Sequence, residues 1–130
     1  MLQFLGERYP AAALLPDEGL PRAQLRQWLG FIGTELHKAV FVPLLDPEAT
    51  ADVKAYASAK AALRLGVLNG HLQAHEHLVG ERFSVADAYL IAVLNWAPYA
   101  GVDLTPWPAV QAYHRRMATR PAASRAIGEE

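Results

Sequence analysis

The sequence predicts an all-α protein, a bundle of about five helices. Three observations carry that expectation. Ala, Leu, Glu, Gln and Arg dominate nearly every segment, and these residues lose least on entering a helix. Apolar residues in the two longest segments recur at spacings of three and four, the period of an amphipathic helix. The alternating Val, Ile and Thr runs that would mark strands are missing. With 52% hydrophobic residues in a chain of 130, there is enough apolar surface for one domain with a real core.

The elements follow in order. Leu2 to Tyr9 reads as a short helical fragment ended by Pro10, because the residue before a proline avoids the helical region. Ala11 to Gly19, with Leu14-Leu15-Pro16-Asp17, is a connector. A long helix is expected from about Pro21 to Leu44, its stripe formed by Leu25, Trp28, Leu29, Ile32, Leu36 and Val40, with Pro43 and Pro47 closing it. A second long helix should cover Ala51 to Leu78, with Ala57, Ala61, Leu65, Leu68 and Leu72 on one face and Gly80 as its stop. A third, from Val85 to about Trp96, is apolar almost all round and belongs at the centre, with Pro98 and Gly101 ending it. A fourth begins near Pro106 or Pro108, where proline is tolerated in the first turn, and runs to Thr119. Pro121 opens a short last helix ending at Gly128. Long helices with short joints make a bundle.

Composition excludes several functions. Twelve Lys and Arg against thirteen Asp and Glu leave a formal charge of −1, without the basic face that nucleic acid requires. With no cysteine in the chain, disulfides, thiolate chemistry and cysteine-based zinc sites are excluded within it. The first residues lack a basic segment followed by an apolar block, so they are not a signal peptide. The most apolar stretch, Val85 to Val102, is interrupted by Asp87, Asn95 and Pro98, and reads as a core helix and not a membrane span. A cytoplasmic protein is the expectation. His71 and His75, four apart, can share a helix face, but His77 points elsewhere and Glu76 is out of register, so no metal site is assigned. A partly charged, solvated face near a helix C-terminus is the reading there. His114, beside Arg115 and Arg116, reads as surface. Trp28, Phe31 and Tyr89 stand at helical spacing and read as core or interface before ligand stackers.

Ser84 and Asp87 have the spacing of a capping box, in which the Ser84 hydroxyl accepts from the Asp87 amide and the Asp87 carboxylate reaches back to the Ser84 amide. A core helix needs such a cap because its first amides cannot reach water. Phe83 is a weak staple, since its partner four residues into the helix is only Ala88. His37 lies off the apolar stripe of its helix, on a second stripe with Gly30, Gly33 and Phe41. Two glycines inside a helix each cost about 1 kcal/mol relative to alanine, so a reason is required. Either another backbone approaches closely there, or the wall is cut back to leave a cleft. His37 and Phe41 on that wall suit a site for an apolar ligand with one polar group; the competing reading has His37 hydrogen-bonding across an interface.

Gly80-Glu81-Arg82-Phe83-Ser84-Val85-Ala86-Asp87-Ala88-Tyr89-Leu90 resembles the start of the buried core helix in the C-terminal domain of glutathione S-transferases. Trp107-Pro108-Ala109-Val110-Gln111-Ala112-Tyr113, followed by Met117-Ala118-Thr119-Arg120-Pro121, is similar to that family's next helix and its Arg-Pro ending. Leu2 to Pro10 and Leu14-Leu15-Pro16 resemble the last helix of the family's thioredoxin-like domain and the linker after it. On this resemblance, residues 1–19 are a remnant of the inter-domain helix and linker. Residues 20–130 are then the helical domain, with no thioredoxin-like domain in the chain.

Within the family, Thr34-Glu35-Leu36-His37-Lys38 resembles the bacterial beta class. The resemblance implies that His37 and Lys38 line the active-site cleft near the glutathione sulfur, His37 as the catalytic residue. Glu35 and Lys38 would bind glutathione, Glu35 across a dimer, and Trp96 would lie near the substrate pocket, which Phe41 joins by its place on the His37 stripe. Two departures stand out: Gly30 replaces an Asn common in the class, and the class's cysteine belongs to the thioredoxin-like half. Glutathione is the family's co-substrate, with none expected to bind this chain tightly. The implied partners are a second copy, as a homodimer, and a thioredoxin-like half supplied in trans or encoded upstream. The expected activity is that of the family, conjugation of glutathione to electrophiles, absent from this half alone. The alternative is a non-catalytic helical module for dimerisation or for an apolar ligand.

Overall fold

The computed structural model describes residues 20–80 and 83–118. The helical fragment at 2–9, the connector at 11–19 and the last helix at 121–128 lie outside the described residues. Within them the protein is a helical bundle with no strands, as the composition predicts. The elements are α1 (Leu20–Gly30), a π-helical segment π1 (Phe31–Phe41), α2 (Val42–Leu45), α3 (Ala51–Ala74), α4 (Val85–Leu94), α5 (Ala97–Ala100) and α6 (Pro108–Ala118). The first three are contiguous and form one long helix.

That long helix widens in its middle. The Val42 amide donates to the His37 carbonyl, five residues back and not four. The sequence supplies a reason: Gly30 and Gly33 are poor helix formers, and the Thr34 hydroxyl donates to the Gly30 carbonyl at 2.7 Å, competing with the backbone for that acceptor. The buried residues of the segment, Ile32, Leu36, Val40 and Phe41, accordingly keep a spacing of four through Val40. The long helix ends at Leu45, within one residue of the expected Leu44. Pro43 lies in the last turn of this helix, just after the widened segment, and the chain leaves helical geometry at Asp46.

Two other boundaries differ from expectation. The second long helix ends at Ala74, because His75 is already extended (φ −137°, ψ 142°). Leu78 and Val79 are buried outside the helix, and Gly80 takes a left-handed turn at φ 61° where a side chain would be strained. The third helix ends at Leu94. Pro98 then opens the short α5, and Gly101, at φ 73°, ends it; proline is as compatible with a first turn as with a stop.

Helix α4 occupies the centre, as its apolar surface requires. Leu90, Ile91, Val93 and Leu94 pack in one cluster with Leu25, Ile32, Leu36, Leu65, Leu68, Val110, Tyr113 and Met117 from the surrounding helices. A long-range cap holds the outer helix: the Asn69 carboxamide oxygen of α3 accepts from the amides of Ala109 and Val110 at 2.9 and 3.3 Å.

The capping box of α4 is present but closes unequally. The Ser84 amide donates to Asp87 Oδ2 at 3.0 Å. The Ser84 hydroxyl makes no aligned hydrogen bond to the helix amides and donates to the same carboxylate oxygen at 3.3 Å. The carboxylate does more than cap: Oδ1 accepts from the Leu78 amide at 3.2 Å and from the Tyr113 hydroxyl at 2.5 Å. Asp87 is fully buried, 0% exposed. It joins the loop before α4, the start of α4 and helix α6.

This arrangement has a consequence at high pH. Burial, then the Asp87 carboxylate beside it, pushes the Tyr113 hydroxyl far above the ordinary phenol range. A folded value raised above the unfolded one gives stability that is complete below the unfolded pKa of about 10 and is lost as pH rises beyond it. Urea melts between about pH 9 and pH 11 should show a falling midpoint, and Tyr113→Phe should flatten that fall. Equal slopes for the two proteins would contradict the buried Tyr113–Asp87 pair.

Candidate active site

The widened helix places His37 and Phe41 one above the other, four residues apart, facing the end of α4 and the joint before α5. The His37 ring lies edge-on to Trp96, with centroids 5.1 Å apart, and edge-on to Tyr89, at 5.9 Å. His37 Nδ1 is hydrogen-bonded to the Tyr89 hydroxyl at 2.7 Å. Phe41 stands edge-on to Trp96 at 6.2 Å. Phe41 is fully buried, so it backs the wall, while His37, Tyr89 and Trp96 are half-buried and form its surface. Edge-to-face aromatic pairs of this kind each contribute about 0.5–1.5 kcal/mol beyond area burial.

The two glycines belong to the same wall. A Cβ added at Gly30 would meet nothing within 4 Å, and one at Gly33 would lie 3.6 Å from the Tyr89 hydroxyl, an ordinary contact. No backbone approaches either position among the described residues. Within this chain, the wall is therefore cut back at both positions.

The remaining sequence candidates lie around this wall. Lys38 is exposed, next to His37. Glu35 points to the other side of the helix, where Arg64 Nε of α3 lies 2.8 Å and Lys60 Nζ 3.8 Å from Oε2. The guanidinium is not aligned for a hydrogen bond, so this is an ion pair, and Glu35 must loosen it to reach any ligand. Ser84 and Asp87 sit at the opposite end of α4 and serve the fold.

A second concavity lies elsewhere. Gln24, Gln27, Trp28, Phe31, Val67, His71, His75, Leu78 and Gly80 line a volume of about 660 Å³ between the long helix and α3. His71 and His75 do share a face, stacked at 4.4 Å, and Trp28 lies 4.7 Å from His71. Burial pulls the His71 pKa below the ordinary imidazole value, while His75 is exposed, so only the His75 side of the expected solvated face stands in water. No group of three metal-ligating side chains occurs among the described residues. His114 is also not a surface residue: it is half-buried, its Nε2 lies 2.6 Å from Asn95 Oδ1, and burial lowers its pKa. No helix among the described residues is long and apolar enough to cross a membrane.

Fold and site together define a helical domain with an aromatic, histidine-bearing wall at His37. Residues 34–121 match the family model for the glutathione S-transferase C-terminal domain, and the chain belongs to that family. It is 34% identical over 131 residues to the glutathione S-transferase GstA of Escherichia coli O157:H7, covering 100% of this chain and 65% of that protein. The solved beta-class glutathione S-transferase of Sphingomonas chungbukensis superposes with a TM-score of 0.90 at 40% identity, over 98% of this chain and 64% of that one. A sphingomonad glutathione S-transferase solved with glutathione matches equally well, at TM-score 0.90 and 38% identity, again over 98% and 64%. The chain thus spans just under two thirds of the length of these relatives.

Proposed function

We propose that this chain is the electrophile-side half of a glutathione-conjugating transferase, and that it conjugates only when a thioredoxin-like half completes the site. The observation carrying this reading is the His37–Tyr89–Trp96 wall, backed by Phe41 and cut back at Gly30 and Gly33. Such a wall offers polar groups beside aromatic surface, as a site for a thiolate and an apolar electrophile requires. His37 and Lys38 favour a nearby thiolate by hydrogen bonding and charge. Peptide alignment, which supplies much of the rate advantage in conjugation, needs an edge that helices alone do not offer. The likeness to a transferase solved with glutathione supports the choice of thiol.

The test is binding. Glutathione titrated into the 130-residue chain should leave the Trp96 indole resonance nearly unmoved. A fusion to a beta-class thioredoxin-like half should show saturable shifts of that resonance. No saturation in the fusion would remove the reading.

The same reading includes a homodimer. Val53, Tyr56, Leu63 and Val67, 46–67% exposed, follow one stripe of α3, the kind of apolar surface that a partner covers. Sedimentation showing only monomer at micromolar concentration would count against it. The alternative, a non-catalytic module for an apolar ligand, is favoured by the separate cavity beside Trp28 and Phe31. It gains if a hydrophobic dye binds the isolated chain and Trp28→Ala abolishes that binding.

A further inference from the structure

Tyr89 comes from the central helix α4 and His37 from the widened part of the first helix, 52 residues apart in sequence, yet their polar atoms meet at 2.7 Å. The bond has two possible directions. A phenol O–H is a much stronger donor than a neutral imidazole N–H, and the unprotonated imidazole nitrogen is a much stronger acceptor than a phenol oxygen. Burial also raises the Tyr89 pKa, so the hydroxyl keeps its proton across the ordinary pH range. The favoured arrangement is therefore O–H donating to a bare Nδ1, which leaves the ring's one hydrogen on Nε2. If the ring takes a second proton it goes to Nδ1, which then donates to the Tyr89 oxygen, and Nε2 still carries its hydrogen. Nε2 has no partner among the described residues.

We infer that Tyr89 is a positioning residue that fixes the His37 tautomer, so that Nε2 presents a hydrogen in both protonation states of the ring. His37 is then a hydrogen-bond donor to an anionic sulfur and not the base that removes the thiol proton. This deepens the function proposed above and rests on it, since it assumes that a sulfur is brought to this wall. The wall itself supports the assignment. The ring is held on two sides by Tyr89 and Trp96, so it cannot flip without breaking the Tyr89 bond. The absent side chain at Gly33 leaves the space beside the Tyr89 hydroxyl unfilled. A donor stabilises the thiolate that attacks, lowering the free energy of the reactive form. A base would need its hydrogen on Nδ1 and a bare Nε2, which reverses the Tyr89 bond into its weaker direction.

The test uses the 130-residue chain without glutathione, so it is independent of whether the conjugation reading holds. Two-bond proton–nitrogen correlation spectra at about pH 9, where imidazoles are neutral, report which ring nitrogen carries the hydrogen. His37→Gln assigns the resonances. The expected spectrum shows a single His37 tautomer with hydrogen on Nε2 and a shielded, hydrogen-bonded Nδ1. In Tyr89→Phe, which keeps the packed ring, that shielding should be lost and the second tautomer should become visible. A wild-type ring with hydrogen on Nδ1 would overturn the donor assignment, and needs no variant to be seen. A Tyr89→Phe spectrum identical to wild type would overturn the positioning role.

Discussion

Asp87→Ala is expected to destabilise the domain by about 3–5 kcal/mol, which for a chain of this size lowers the melting midpoint by about 10–20 °C. The figure exceeds the roughly 0.5–2 kcal/mol of an ordinary helix cap because the carboxylate serves more than a cap. Removing it strips acceptors from the Leu78 amide, the Ser84 amide and the Tyr113 hydroxyl, all near a residue with 0% exposure. Each buried donor left without a partner costs about 1–3 kcal/mol, and neighbours of this kind do not add in full. Asp87→Asn keeps the shape and one acceptor oxygen, so it should fall between the two. Thermal melts of the three proteins decide the matter, and an unchanged midpoint for Asp87→Ala would contradict the role given to this residue.

The second large effect belongs to the site. In a fusion that supplies the thioredoxin-like half, His37→Ala should lower kcat/KM for glutathione conjugation by about ten- to a hundredfold. That range is the cost of losing one charge-assisted hydrogen bond, about 1.5–3 kcal/mol, from the reacting state. Glutathione affinity should change far less if the bond is made chiefly to the thiolate. An equal loss in binding and in kcat/KM would mean that His37 holds the peptide and does not assist the sulfur.

How much of this was legible in the sequence depends on range. The Ser84–Asp87 box was readable because its two partners are three residues apart and local geometry decides them. Leu78 and Tyr113, which share the same carboxylate, were not, because tertiary packing brings them there across 9 and 26 residues. The stripe of Gly30, Gly33, His37 and Phe41 was visible by period, but the widening of the helix around His37 was not. Gly30 and Thr34 are its local signal, seen only once the Thr34 hydroxyl is known to take the Gly30 carbonyl. Pro98 looks like a stop in the sequence, yet it lies in the first turn of α5; the residue alone does not distinguish the two. Tyr89 was assigned to packing because helical spacing shows an aromatic ring and not what its hydroxyl meets. His71 and His114 were read as solvated, and burial by neighbouring helices makes both less basic.

The central claim is that the His37 wall is half of a conjugating site. It is tested most directly by turnover of a chlorodinitrobenzene substrate with glutathione, measured side by side for the 130-residue chain and for its fusion to a beta-class thioredoxin-like half. The account predicts the uncatalysed rate for the chain alone and clear turnover for the fusion, reduced by His37→Ala. Clear turnover by the chain alone, lost on His37→Ala, would contradict it, since this half would then be a catalyst in its own right.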